Sequence, residues 1–181
     1  MGSKTKPAPR PERELDAAPA EAREALNALR HIVRSLRISS RNAEQLVGLS
    51  GAQLFVLSCL SRHSPCSVNE LAAHTATDQS SVSVVVSRLV ARGYVKRSPS
   101  KTDRRSVLLS LTSSGRALSS KAPEAAQDRL LAALTQLEKT ELRQLSKLLA
   151  KLVELAGVPN ENPSLFFEEG PRLVRSKTRP R

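Results

Sequence analysis

Four serines, one glutamine and one arginine fall within the ten residues from 79 to 88. Val82, Val85 and Val86 lie among them at the spacing of one buried helix face. Gln and Arg side chains can pair with base edges, and serine hydroxyls can bond phosphate. The pattern therefore predicts a helix that contacts nucleic acid, or else a serine-rich helix face that is simply solvated. The candidate contacts are Gln79, Ser80, Ser81, Ser83, Val84, Ser87 and Arg88.

A basic loop follows this helix at residues 98–106. Lys101, Arg104 and Arg105 could lie beside a duplex or enter a narrow minor groove, where the negative potential is strongest. Asp103 would repel phosphate, so we expect it to hold a neighbouring guanidinium in place. The alternative is an ordinary charged hairpin.

Short elements must position these two segments. Residues 50–53 and 67–70 each have the pattern of a capping box, which predicts helix starts before residues 51 and 68. A further helix is expected from Asp78 to about Arg92, with Gly93 as its stop. Two strand-like runs, 94–97 and 107–111, then flank the basic loop as a hairpin.

Longer amphipathic helices are predicted on both sides of this region. An apolar period from Ala20 to about Gln45 indicates a long first helix. Another helix is expected from about Thr112 to Leu134, kinked or broken by Pro123. A last helix with a leucine stripe ends near Gly157 and needs a partner for that stripe.

The composition of the 181 residues favours a mainly helical fold, because aromatic residues make up only 2% and Leu, Val and Ala must fill the core. The formal charge is +12, but residues 1–11 and 170–181 hold eight of those charges. Residues 88–105 carry a local net charge of +6, which is the specific indication of an anionic partner. No apolar run approaches the length of about 20 residues that crosses a bilayer. We expect a cytoplasmic protein without a membrane segment.

The region from about residue 25 to 155 resembles the MarR family of bacterial winged-helix regulators. The resemblance is most specific in Gly93-Tyr94-Val95 and in the run from Asp103 to Gly115, which is similar to the family's wing signature of D-x-R, an apolar strand and L-T-x-x-G. It implies that Arg105 enters the minor groove, that Asp103 orients it, and that residues 79–88 form the recognition helix. It also implies an obligate homodimer that interleaves its terminal helices and binds a pseudo-palindromic site in double-stranded DNA.

Many members of that family release DNA when a small anionic or phenolic ligand binds between the dimer helices and the DNA-binding lobe. His31, Arg34 and Phe55 are the candidates for such an effector pocket, although His31 and Arg34 also suit a solvated helix face. Cys59 is interpreted as a core residue. Cys66 is the better candidate for a redox thiol, because a helix start could lower its pKa. The cysteines and histidines have no metal-binding spacing, so no metal site is expected.

The expected fold is mainly α with a small β-hairpin wing, a winged helix-turn-helix with N- and C-terminal dimerisation helices. We assign residues 1–19 to a flexible basic, proline-rich arm, 20–158 to the domain with a DNA-binding lobe at about 50–112, and 159–181 to a C-terminal extension. The expected function is that of a sequence-specific transcription regulator, a repressor that responds to a ligand or to oxidation. The alternative is a module that coats nucleic acid without sequence preference or binds proteins. The sequence has neither a phosphate-binding glycine loop nor a nucleophile elbow, so neither an enzyme activity nor a cofactor is expected.

Overall fold

A computed structural model of the chain describes residues 18–100, 106–158 and 165–166. The seven helices of these ranges are α1 (Ala20–Val47), α2 (Gly51–His63), α3 (Val68–His74), α4 (Gln79–Ala91), α5 (Ser113–Lys121), α6 (Ala126–Gln136) and α7 (Lys139–Leu155). The three strands are β1 (Cys66–Ser67), β2 (Val95–Pro99) and β3 (Val107–Leu111). The chain divides into two compact units, residues 1–34 and 35–181, with the boundary inside α1.

The predicted fold class is confirmed: the described residues are mostly helical and contain one small antiparallel sheet in the order β1-β3-β2. Val95 pairs with Leu111 and Pro99 with Val107, which sets the register of the wing hairpin. The sheet has a third strand that was not predicted, because β1 is only two residues long and has no alternating pattern to detect. Cys66 of β1 pairs with Leu109 of β3.

Both predicted capping boxes are present. The Ser50 hydroxyl accepts a hydrogen bond from the Gln53 backbone N–H and the Ser67 hydroxyl accepts one from that of Glu70, while each N3 side chain bonds back to its cap. The helix predicted to start near Thr112 is broken rather than kinked at Pro123, which lies between α5 and α6. Among the described helices, none alone is long and apolar enough to cross a membrane; α1 and α2 together meet that test by length and composition, across a bend of 77°.

The core of the second unit lies around α2. Seven of the 13 residues of α2 are buried, and α4 packs against it with Val82, Val85, Val86 and Leu89. Arg62 at the end of α2 forms an ion pair of 2.5 Å with Asp128 of α6. The Ser39 hydroxyl accepts a hydrogen bond of 3.1 Å from the Ala126 backbone N–H, so the start of α6 is fixed from two directions.

Candidate nucleic-acid interface

Asp78 fixes the first turn of α4. Its carboxylate accepts hydrogen bonds from the Ser81 backbone N–H at 2.9 Å, from the Ser81 hydroxyl at 2.7 Å, and from the Ser80 hydroxyl. These bonds favour the ionised carboxylate, so the pKa of Asp78 lies well below its usual range. The start of the helix is therefore held by a charged cap that also suits the helix dipole.

This arrangement corrects one of the predicted contacts. Ser81 was expected on the exposed first turn, but it is buried and its hydroxyl is committed to Asp78. The error has a simple cause, since a serine three residues after an Asp cap can turn back toward the cap. Ser80 is exposed, as expected, although its hydroxyl proton also goes to Asp78.

The face of α4 opposite the core is open. Gln79, Val84 and Ser87 are exposed and Ser83 is half-buried, while the core-facing valines are fully covered. Val84 has 47% of its surface exposed, although it is apolar and lies among polar neighbours. A methyl-bearing side chain at such a place can contact the methyl group of thymine. The helix thus presents an amide, hydroxyls and one apolar group on the same side.

Arg97 of β2 extends this face. Its guanidinium donates a hydrogen bond of 3.0 Å to the Ser87 hydroxyl, and that hydroxyl donates one of 2.8 Å to the Ser83 carbonyl oxygen. Arg97 belonged to the predicted basic segment but not to the predicted contacts. Strand alternation could have identified it, because Arg97 lies two residues after buried Val95 and so shares its sheet face.

Arg92, in the same basic segment, supports the fold instead. Its guanidinium donates hydrogen bonds to the Gly48 carbonyl oxygen at 2.6 Å and the Gln53 amide oxygen at 3.2 Å, and lies 5.3 Å from the centre of the Tyr94 ring. The residue before it on the same helix side, Arg88, is half-buried and also has an interaction partner. The local charge of +6 is therefore divided between structural and accessible cations.

The junction between the wing and α5 explains the run Thr112 to Gly115. The Thr112 hydroxyl donates a bond of 2.7 Å to the Gly93 carbonyl oxygen and accepts one of 3.0 Å from the Gly115 backbone N–H. A Cβ on Gly115 would lie 2.0 Å from the Tyr94 carbonyl oxygen, so only glycine fits. Gly93 itself has a φ of +73°, which ends α4 and directs the chain into β2. These residues connect the end of α4, the wing strands and the start of α5.

The tip of the wing lies outside the described residues. Lys101, Asp103, Arg104 and Arg105 therefore stay predictions, whereas the two strands that carry this tip are described.

A cavity of about 540 Å³ lies behind the N-terminus of α4. Its wall includes Phe55 of α2, the turn from Thr75 to Asp78, and Leu130, Leu131 and Leu134 of α6. Of the predicted effector residues, Phe55 contributes to this wall and is only 3% exposed. His31 and Arg34 are exposed and belong to the other compact unit.

The cysteine predictions have opposite outcomes. Cys59 is buried within α2 and burial raises its pKa to about 11, so its interpretation as a core residue is confirmed. The expectation that a helix start lowers the pKa of Cys66 is wrong. Cys66 is buried in β1, and burial together with the Glu70 carboxylate raises the pKa of its thiol instead of lowering it.

Comparison with known proteins identifies the family. The sequence model of the MarR family matches residues 47–106. The repressor NicR of Pseudomonas putida is 44% identical over 70 residues, which are 39% of this chain and 44% of NicR, so the match spans less than half of that relative. The repressor MdtR of Bacillus subtilis is 30% identical over 109 residues, which are 60% of this chain and 70% of MdtR. The chain belongs to the MarR family of winged-helix transcription regulators.

A solved MarR-type fold supports the same architecture. The transcriptional regulator BldR of Sulfolobus solfataricus is 28% identical, with a TM-score of 0.50 over 72% of this chain and 96% of BldR. In this MarR-family chain, the matched residues 47–106 include α2, α3, α4 and β2. These are the elements that position the exposed face of α4 and Arg97.

Proposed function

We propose that the chain is a homodimeric repressor that binds a pseudo-palindromic site in double-stranded DNA. The observation that carries this proposal is the exposed face of α4, where Gln79, Ser83, Val84 and Ser87 lie opposite the buried valines and next to Arg97. A helix of this kind fits the major groove, where each base pair presents a distinct pattern of donors, acceptors and methyl groups.

We propose that the wing lies beside α4 on the same DNA duplex. Residues 101–105 lie between β2 and β3 in the sequence, and Arg105 is the residue we expect in the minor groove, oriented by Asp103. Lys101 and Arg104 would add phosphate contacts. Ser80 and Ser81 are less suited to that task, because their hydroxyl protons already go to Asp78.

The dimer is proposed from exposed apolar surface. α7 has no buried residue, and Leu148, Leu152 and Leu155 expose 58%, 47% and 75% of their surface. Ile32, Val33 and Ile38 of α1 are each at least 40% exposed. Exposed apolar side chains along a helix face favour an interface, and a second copy would place two recognition helices about one turn of DNA apart.

An effector is proposed to act through the cavity behind α4. The turn from Thr75 to Asp78 forms one wall of the cavity and also caps α4. A ligand that fits the cavity better in one orientation of that turn would change the population of DNA-binding chains.

The central experiment is a titration of the full chain on the DNA upstream of its own gene, at physiological salt, against a scrambled duplex of equal length. We expect the specific site to bind about a thousandfold more tightly. Equal affinity for both duplexes would exclude sequence-specific regulation and favour a protein that coats nucleic acid.

Truncation after residue 169 separates the two functions further. It should reduce the salt dependence of binding but preserve the ratio, because the removed charges contact DNA without reading its sequence.

Variants test the individual contacts. Arg105→Ala should weaken binding to the specific site by about 1–3 kcal/mol. Gln79→Ala should change the difference in binding free energy between the preferred base and the other bases by a similar amount. Gln136→Ala is the matched control, because Gln136 is an exposed glutamine at the end of α6. A similar loss in the Gln136 variant would show that the effect does not come from the α4 face.

A further inference from the structure

The outer ridge of α4 lies opposite its core-facing valines and consists of Ser80, Val84, Ser87 and Ala91. These residues follow one another at four, three and four positions, which is the spacing of one helix face, and all of them are exposed. The core-facing valines on the other side are fully buried. The outer ridge is therefore the part of α4 that would reach furthest into a groove.

The two serine hydroxyls of the outer ridge donate their protons within the protein. Ser80 donates to the Asp78 carboxylate, and Ser87 donates to the Ser83 carbonyl oxygen at 2.8 Å. Neither acceptor has a proton to give, so its chemistry fixes the direction of each bond. The Ser87 oxygen also accepts a hydrogen bond of 3.0 Å from Arg97. Both hydroxyls therefore present an acceptor lone pair to a base instead of a donor.

Acceptor hydroxyls suit some base edges of the major groove better than others. Guanine presents two acceptors there, O6 and N7, which would face the lone pairs of Ser80 and Ser87. Adenine and cytosine each present an amino group, which can donate to such an oxygen. An A·T pair also carries the 5-methyl group of thymine, which a G·C pair lacks. An apolar side chain beside the hydroxyls would therefore make the outer ridge complementary to an A·T pair.

Val84 supplies that apolar side chain. It lies four residues after Ser80 and three before Ser87, and 47% of its surface is exposed. The side chain has no polar atom, so a polar base edge packed against it would lose water without gaining a hydrogen bond. Contact with a thymine methyl group instead buries apolar surface on both partners. Because a β-branched side chain has one strongly preferred rotamer in a helix, the contact costs little side-chain entropy.

We propose that Val84 is a specificity-determining residue that contacts the 5-methyl group of one thymine in each half-site. The inference rests on the proposed function, because it requires α4 to enter the major groove of a specific site. It goes further by assigning one type of base pair to one residue. Val84 discriminates between sequences, whereas contacts to phosphate supply affinity and register.

Replacement of thymine by deoxyuridine tests this contact, because uracil forms the same base pair and lacks only the methyl group. Each thymine of the specific duplex is replaced in turn, together with its counterpart in the other half-site, and the full chain is titrated on every duplex. At one position the wild type should bind about fifteenfold more weakly, or about fourfold for each methyl group that is no longer buried.

Variants of Val84 should change this dependence on the methyl group. In Val84→Ala the affinities for the thymine and uracil duplexes should agree within about twofold, because both methyl groups of the valine are absent. Val84→Thr keeps the branched shape and one methyl group, so about a fourfold difference should remain. Val107→Ala is the matched control, because Val107 is also 47% exposed but lies on β3. It should keep the wild-type difference, whatever its own affinity.

A disturbed helix would give a different result from a lost base contact. It would weaken binding to the thymine and uracil duplexes by the same factor and leave their ratio at the wild-type value. Comparison of the ratios also cancels any effect of uracil on the duplex itself. The slope of log affinity against log salt should be unchanged in Val84→Ala, because valine neutralises no phosphate.

Three results would overturn the inference. A wild type that prefers the specific duplex but tolerates uracil at every position would do so and leave the proposed function intact. The same loss on uracil in Val84→Ala as in the wild type would assign the methyl contact to another residue. Equal affinity of the wild type for specific and scrambled duplexes would contradict the proposed function together with the inference. Thermal melting identifies a variant that fails to fold, and either variant of Val84 alone decides the question.

Discussion

Helices α2 and α7 are both rich in leucine and differ in where that leucine lies. Seven residues of α2 are buried, including Leu54, Leu57 and Leu60, whereas α7 has none buried over its 17 residues. α2 is apolar on nearly every side and forms the centre of the unit. α7 has its apolar residues on one stripe and charged residues elsewhere, the pattern of a helix that covers another surface. α2 finds its partners within one chain, whereas the exposed stripe of α7 is the surface that the proposed dimer would cover.

Charge on the α7 stripe should produce the largest effect. In Leu148→Glu with Leu152→Glu, two carboxylates would have to be buried in the proposed dimer, so we expect association to weaken by about 4 kcal/mol or more, roughly a thousandfold. Sedimentation equilibrium measures this directly. Arg143→Glu with Lys147→Glu is the matched control on the same helix and should shift association much less. Unchanged association in the leucine variant would place the dimer surface elsewhere.

Truncation of a leucine in α2 should act differently. Leu57 is fully buried, so Leu57→Ala should lower the free energy of unfolding by about 3 kcal/mol. Leu149 in α7 has 41% of its surface exposed, so Leu149→Ala should lower stability by weakening the association of two chains. The size of that loss should therefore depend on protein concentration. Urea unfolding at two concentrations distinguishes these behaviours. A loss of stability for Leu149→Ala that is as large as for Leu57→Ala and independent of protein concentration would show that α7 is a core helix of one chain, like α2.

Sequence patterns predicted α2 and α7 for the same physical reason. Capping residues and apolar spacing are local, and so the starts of α2, α3 and α4 could be derived from Ser50, Ser67 and Asp78. The break at Pro123 and the end of α4 at Gly93 are local as well.

Contacts between residues that are separated in the sequence determine the features that local patterns did not predict. The two-residue strand β1 exists because Cys66 pairs with Leu109, 43 residues later, and Cys66 is buried in that strand. The hydrogen bond from Arg97 to Ser87 and the position of Leu165 in the cavity wall also depend on contacts between residues that are separated in the sequence. The clash that requires glycine at position 115 could be inferred only once the Tyr94 carbonyl was located.

The thiol of Cys59 gives the smallest of the expected effects and tests the burial of α2 again. Its pKa is raised to about 11 by burial, so the folded chain favours the protonated form. Stability from this group is complete below the unfolded pKa, near 9, and is lost as pH rises from there through about 11. We expect a loss of about 2 kcal/mol across that range. Urea midpoints at pH 8, 9.5 and 11 measure it, and Cys59→Ala should remove this part of the pH dependence. An equal decline in Cys59→Ala would assign the effect to other groups.

The most direct test of the account is the stoichiometry of the complex with DNA. Native mass spectrometry of the full chain, mixed with the duplex selected in the titration and with its scrambled counterpart, counts the chains on each. We predict two chains on the selected duplex and, at the same concentrations, almost no complex on the scrambled one. One chain per duplex, or equal and increasing numbers of chains on both duplexes, would contradict a dimer that reads its site through α4.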